Sequence, residues 1–161
     1  MLRKLSFIAL LAITGCVSKS GITSSNHLSE NSTRITVEVI SLNEGNSLQF
    51  NVINNSDDTL YFHNYSLIHI EKNNKGDWEK LRILPCPCGA SCPRPFEYVE
   101  IPKGQLYSLM WDKQESWCEK KGGLPVPETK YASSSSGEYR IKIVYSFDKK
   151  DVKEFFENFT L

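Results

Sequence analysis

The 161-residue chain is short of histidine, has no excess charge of either sign and contains one long apolar run, and each shortage removes a class of function. Lys plus Arg and Asp plus Glu both number 19, which leaves no basic surplus to neutralise a phosphate backbone and argues against a nucleic-acid partner. The apolar run, Leu5 to Ile13, is nine residues long, well below the roughly 20 that a helical membrane span needs. That excludes a multi-pass membrane protein. No G-x-S-x-G, H-E-x-x-H, P-loop or G-x-G-x-x-G segment occurs, so the motifs that seat a catalytic serine, a zinc ion or a nucleotide phosphate are missing. His27 lies in polar sequence, and His63 and His69 sit in aromatic, strand-like sequence. The expectation is a non-catalytic protein without a cofactor.

What is present begins with an address. Arg3 and Lys4 precede the apolar run, and Thr14-Gly15-Cys16 closes it, which is the layout of a secretory signal peptide. Ile13-Thr14-Gly15-Cys16 resembles the bacterial lipobox. The resemblance implies cleavage of residues 1–15, diacylation of the Cys16 sulfur and acylation of its amine. At about 0.8 kcal/mol per buried CH₂, several acyl chains make a permanent membrane anchor. Val17 and Ser18 stand where an inner-membrane retention signal would carry Asp, so the same resemblance points to the outer membrane, facing the periplasm or the cell surface. From Val17 to Thr33 there are six Ser, one Gly and two Asn with no hydrophobic period, which is linker composition. Residues 16–33 therefore read as the lipidated cysteine and a tether with a reach of roughly 20–25 Å.

Residues 34–161 alternate short β-patterned runs with turn signals, the pattern of an all-β sandwich. Ile35, Val37 and Val39 share one face, and Leu48, Phe50 and Val52 share another. Strands are expected over 34–42, 47–54, 59–63, 66–72, 78–84, 96–101 and 105–111, with a turn at Pro102-Lys103-Gly104. Tyr139, Ile141, Ile143, Tyr145 and Phe147 hold a period of two against Glu138, Arg140, Lys142 and Ser146, which predicts a long strand with a buried face. Val152, Phe155, Phe156 and Phe159 also fit a helical face, but the turn residues at 148–151 favour a returning strand. Residues 114–136 are expected to be a loop.

The succession of strands, with an Asn-Asn-Ser-Asp turn at 54–57, Gly76-Asp77-Trp78, Ile101-Pro102-Lys103-Gly104, Trp111 and Gly137-Glu138-Tyr139-Arg140-Ile141, is similar to the immunoglobulin-like domains of secreted bacterial proteins. It is similar in particular to the domain type named after the BsuPI intracellular proteinase inhibitor. That resemblance implies an immunoglobulin-like sandwich of 7–9 antiparallel strands, and a protease inhibitor as an alternative function. Arg94-Pro95-Phe96 also resembles the Arg-Pro-aromatic loop of chagasin-type inhibitors, without their companion motifs.

Cys86, Cys88, Cys92 and Cys118 remain. An even count in an exported chain reads as two disulfides. Bridging Cys86 to Cys88 would close a strained ring, so Cys86–Cys118 with Cys88–Cys92, or Cys86–Cys92 with Cys88–Cys118, stay open. Four thiolates could instead hold zinc or Cu(I), but the C-x-C-x₃-C spacing, stiffened by Pro85, Pro87 and Pro93, does not match zinc-ribbon spacing. No C-x-x-C redox pair occurs. The expected function is a lipid-anchored, non-catalytic binding or structural module of the cell envelope with an envelope protein as partner. A protease inhibitor comes next, and a cysteine-based metal carrier after it.

Overall fold

A computed structural model describes residues 34–42, 45–94, 96–120, 122–123 and 126–161. The signal segment, Cys16 and the tether lie outside the described residues. The described chain is all-β, with eleven strands: β1 Ile35–Leu42, β2 Ser47–Asn54, β3 Leu60–His63, β4 Ile70–Asn74, β5 Asp77–Lys80, β6 Tyr98–Ile101, β7 Leu106–Trp111, β8 Gln114–Glu119, β9 Glu128–Ser133, β10 Glu138–Ser146 and β11 Lys153–Thr160. Every pairing is antiparallel. A three-stranded sheet, β1-β2-β7, packs against a six-stranded one built on β10, and β8 with β9 forms a separate hairpin. The nine strands of the two large sheets make the sandwich expected from the sequence.

The predicted alternation of β10 sets the core. Tyr139, Ile141, Ile143 and Tyr145 are all buried, and they meet Phe50, Val52, Leu109 and Trp111 from the smaller sheet in one apolar cluster. Aromatic contacts cross between the sheets, with ring centroids 5.2 Å apart for Phe50 and Phe159 and 5.9 Å for Trp111 and Tyr139. Edge and tilted ring contacts of this kind add to what burial alone contributes. The final segment is a strand, as favoured, because its whole length pairs with β10 from Tyr145–Lys153 to Glu138–Thr160.

One edge of β10 carries β11, and the other carries two strands end to end. Tyr139 to Ile141 pair with β4, and Val144 to Ser146 pair with β3. Between the pairs Ile141–Ile70 and Val144–His63 the facing chain is longer than β10, and because His69 O still accepts from Lys142 N at 2.9 Å, it is Asn64 to Ile68 that is extruded from the sheet. The strand expected over 66–72 therefore starts late, at Ile70. Asn64 takes a positive φ of 54°, and its carbonyl accepts from Leu67 N at 2.8 Å, which turns the chain outward. A second correction concerns 114–136, which forms the β8–β9 hairpin in register from Gln114–Ser133 to Glu119–Glu128. Its sequence is charged and lacks a buried face, which hid the strands.

Turns fix the remaining corners. Gln105 N donates to Pro102 O at 3.0 Å, and Gly104 N to Asn54 O at 2.7 Å. Gly104 has φ +72°, the left-handed position that a type II turn gives to glycine. Asn54 is fully buried beside it, with Nδ2 donating to Asp58 O and Ile101 O at 2.7 and 2.9 Å. Its Oδ1 accepts from Ser56 N and Ser56 Oγ at 3.0 and 2.7 Å. The amide thus makes all the bonds it can, and it clamps the β2–β3 turn to the end of β6.

Candidate functional site

Cys86, Cys88 and Cys92 lie in the loop that follows β5, and Cys118 lies on β8 of the hairpin on which that loop packs. Cys86 is paired with Cys92 and Cys88 with Cys118, at Cα separations of 6.0 and 5.7 Å, within the disulfide range. This is one of the two pairings that the sequence left open. A sulfur held in a disulfide is not the thiolate that a zinc or copper site requires. Cys88 N donates to Thr129 Oγ1 at 2.8 Å, which fastens the loop to β9. A Cβ on Gly89 would stand 2.2 Å from Val126 Cγ1, and φ there is +77°. Only glycine lets the loop lie this close to the hairpin.

The hairpin leaves the sandwich at a sharp corner. Lys113 has φ +58°, Asp112 Oδ1 accepts from Gln114 N at 3.2 Å, and the buried Trp111 donates its indole N–H to Gln114 O at 2.9 Å. β8 is then tied to the segment after β5, since Ser116 N donates to Arg82 O at 2.6 Å and Ser116 Oγ accepts from Leu84 N at 2.8 Å.

Between these parts and β7 lies an open cleft of about 660 Å³, a size ordinary for small-ligand and peptide sites. One wall is Tyr107 to Asp112, six consecutive residues. A cleft over one face of a strand would touch alternate residues, so an unbroken run means that the cleft lies along the strand's edge. Opposite stand the extruded loop, at Tyr65 to Ile68, and Ile83 to Pro85, with Tyr131 of the hairpin at the rim. Asp112 is the one carboxylate in the lining and no cation accompanies it. Tyr65 and Tyr107 meet edge to face at 5.5 Å. Burial, with a smaller contribution from Tyr65, pushes the Tyr107 hydroxyl above its ordinary value of 10, so it stays a neutral hydrogen-bonding group.

The backbone of β7 is open to this cleft. Asn54 N donates to Gln105 O at 3.0 Å, and the register continues unbroken from Ile53–Leu106 to Leu48–Trp111. Bonded pairs alternate in an antiparallel ladder. Tyr107, Leu109 and Trp111 therefore turn their N–H and C=O groups toward β2, while Leu106, Ser108 and Met110 turn theirs away. No strand among the described residues pairs with that side.

Other residues singled out in the sequence have structural duties. His63 Nε2 lies 2.8 Å from Ser146 Oγ, but Ser146 is fully buried and no substrate could reach its hydroxyl. His69 Nε2 lies 2.9 Å from Glu71 Oε1. Trp78 stacks under Arg140 at 4.3 Å, and Trp117 under Arg82 at 4.2 Å. Glu100 pairs with Lys149 at 3.2 Å, and Glu97 lies before β6 on the exposed surface. Phe96 is 79% exposed after the Cys/Pro loop. Sequence reasoning named the cysteines but missed the cleft, whose one linear trace is the uncharged run Leu106 to Trp111. Comparison with protein-family models, curated proteins and solved structures finds no match to this chain.

Proposed function

We propose that the protein is a bacterial lipoprotein, anchored through Cys16 to the outer membrane, whose β-domain is a non-catalytic binding module for another component of the envelope. The observation that carries the reading is the walled, nearly uncharged cleft beside β7, bordered by Leu67, 46% exposed, and Tyr131. Apolar side chains left in solvent around a concave site mark a binding surface. The lipobox resemblance supplies the anchor, and the serine-rich tether supplies the reach. A photo-crosslinking residue at Leu67 or Tyr131 should capture one envelope component in living cells, and the same residue at Lys75, in the turn between β4 and β5, should not. Equal capture at both places overturns the module reading. Cys16→Ala should abolish acyl labelling and leave an unprocessed precursor; labelling that persists removes the anchor.

A second reading is protease inhibition of the BsuPI type, favoured by Phe96. An exposed aromatic ring next to a disulfide-tied loop is a group that a protease pocket can accept. Inhibition of purified proteases that is lost in Phe96→Ala would support it, and inhibition indifferent to that change would remove the role of Phe96.

A further inference from the structure

We propose that the cleft takes an extended peptide that adds to the smaller sheet as a new strand, antiparallel to β7, with a run of uncharged residues preceded by a basic residue. The inference rests on the cleft being the binding surface and goes on to name what fills it.

Three observations converge. Ser108 and Met110 on the cleft wall, and Leu106 just before it, turn their backbone N–H and C=O groups to the open edge of β7, with no strand among the described residues to receive them. An added strand would bond all three, which is how strand-addition complexes gain affinity. Exposed edges are ordinarily guarded by charge or proline. The edge strands β1, β5, β6, β8, β9 and β11 each carry at least one charged residue, whereas β7, Leu-Tyr-Ser-Leu-Met-Trp, carries none. Leu106 and Met110 are also 52% and 57% exposed, so this edge is left both sticky and unguarded.

The walls select the occupant. Ser66 to Ile68 and Ile83 to Pro85 line the cleft opposite β7, so whatever pairs with the strand there must lie between these segments and β7, which favours a single chain over the edge of another sheet. Charge sets the direction. Asp112, just past the C-terminal end of β7, is the lining's one carboxylate, and an antiparallel peptide brings its N-terminal end there. A Lys or Arg before the apolar run would pair with it.

The test uses the full chain in detergent and a synthetic heptapeptide, Lys-Val-Thr-Val-Thr-Val-Ser, followed by amide NMR and hydrogen exchange. Binding should slow exchange at Leu106, Ser108 and Met110 at least tenfold and leave Tyr107 and Leu109 as they were. N-methylation of alternate peptide residues should weaken binding at least tenfold in one of the two alternating patterns. Glu in place of the peptide Lys should weaken it several-fold, and Asp112→Asn should remove most of that difference. Met110→Pro should abolish binding while Met110→Ala retains it, since the outward N–H is a position where an edge strand tolerates proline. Should Met110→Pro misfold, the N-methylated peptides carry the same test. Peptide binding that shifts cleft side chains but leaves the three amides unprotected overturns strand addition and leaves the module reading standing. Protection of those amides without peptide, in a dimer of the full chain, assigns the edge to a second copy and also overturns the proposal. No binding at the cleft by the peptide overturns strand addition, and only the crosslinking experiment bears on the module itself.

Discussion

The sandwich and the disulfide-tied annex beside it, residues 84–97 with the β8–β9 hairpin, hold their shapes by different means. Every buried apolar side chain among the described residues belongs to the sandwich or to Leu81 beside it. The hairpin contributes one buried residue, Ser116, and it is polar. Burial at about 25 cal/mol per Å² therefore supports the first region, while two cross-links and a few hydrogen bonds support the second. The cleft beside β7 is lined mostly by the first region, with Leu84, Pro85, Gln114, Ser116 and Tyr131 contributed by the second.

The largest expected effect lies in the sandwich. Ile141→Ala removes a fully buried side chain from the centre of β10 and should cost about 2–5 kcal/mol in denaturant unfolding. A loss within about 0.5 kcal/mol, the range of surface changes, would mean that the β10 face is not the core. Hydrogen exchange in the β8–β9 hairpin should rise only through global unfolding, because the annex does not lean on Ile141.

The complementary break is the long bridge. Cys88 and Cys118 are 30 residues apart, and the chain-entropy relation assigns the closure about 3.5 kcal/mol. The bridge from Cys86 to Cys92, six residues apart, is assigned about 2 kcal/mol. The paired substitution Cys88→Ala with Cys118→Ala should lower global stability, because the closed segment runs through β6 and β7. It should also free the hairpin amides to exchange well before those of β10. Equal acceleration in both regions would erase the distinction between them. Intact mass after alkylation should show no free thiol among the four cysteines until the protein is reduced. Four alkylated thiols and bound Zn²⁺ or Cu(I) in never-oxidised protein would put the metal carrier first.

How much of this was legible follows from the same division. The strand pattern of β10, the Pro102-Lys103-Gly104 turn and the pairable cysteines are local signals, written in alternation, turn residues and spacing. The extrusion of Asn64 to Ile68 is not local, because it arises from β10 pairing with two strands at once, and hydrophobic Leu67 and Ile68 read as strand until that pairing is known. The hairpin was missed because Glu115, Glu119, Glu128 and Lys130 give its strands no apolar face. The cleft joins residues from five separate segments between Ser47 and Tyr131, so no window of sequence could contain it.

A smaller effect sharpens the account of the sandwich. Asn54→Ala leaves the Ile101 carbonyl and the Ser56 amide, both bonded by the Asn54 side chain, without that partner at a buried corner. Orphaned buried groups cost about 1–3 kcal/mol each, so the loss should be about 2 kcal/mol after partial rearrangement. The turn, Gly104 included, should show raised hydrogen exchange. If Asn54→Ala is neutral, burial alone holds this corner.

The smallest effect separates the regions by pH. Glu71 on β4 sits opposite Arg140 on β10, accepts from Arg140 Nε at 2.6 Å and lies 2.9 Å from His69 Nε2. Arg140 is itself stacked between Trp78 and Phe156, at 4.3 and 4.0 Å. Burial pushes the Glu71 carboxyl upward, but hydrogen bonds from His69 and Arg140 and the guanidinium charge outweigh it and hold the group below 4.5. A carboxyl with a lower value in the folded chain binds protons more readily when unfolded, so its contribution is complete above about pH 4.5 and lost as pH falls through the folded value. Glu71→Gln removes that dependence. The stability difference between the native chain and Glu71→Gln, of about 1 kcal/mol for a cross-strand pair, should be steady from pH 7 to 5 and shrink below 4.5. In the annex, Lys130 pairs with Glu128 and Glu119 at 3.1 and 3.8 Å in solvent, where such pairs contribute little. Acid at pH 4 should therefore lower the stability of the oxidised sandwich without first freeing the hairpin, whereas reductant at pH 7 should free the hairpin first. Parallel pH curves for the two proteins would mean that the Glu71–Arg140 pair contributes nothing to the folded state.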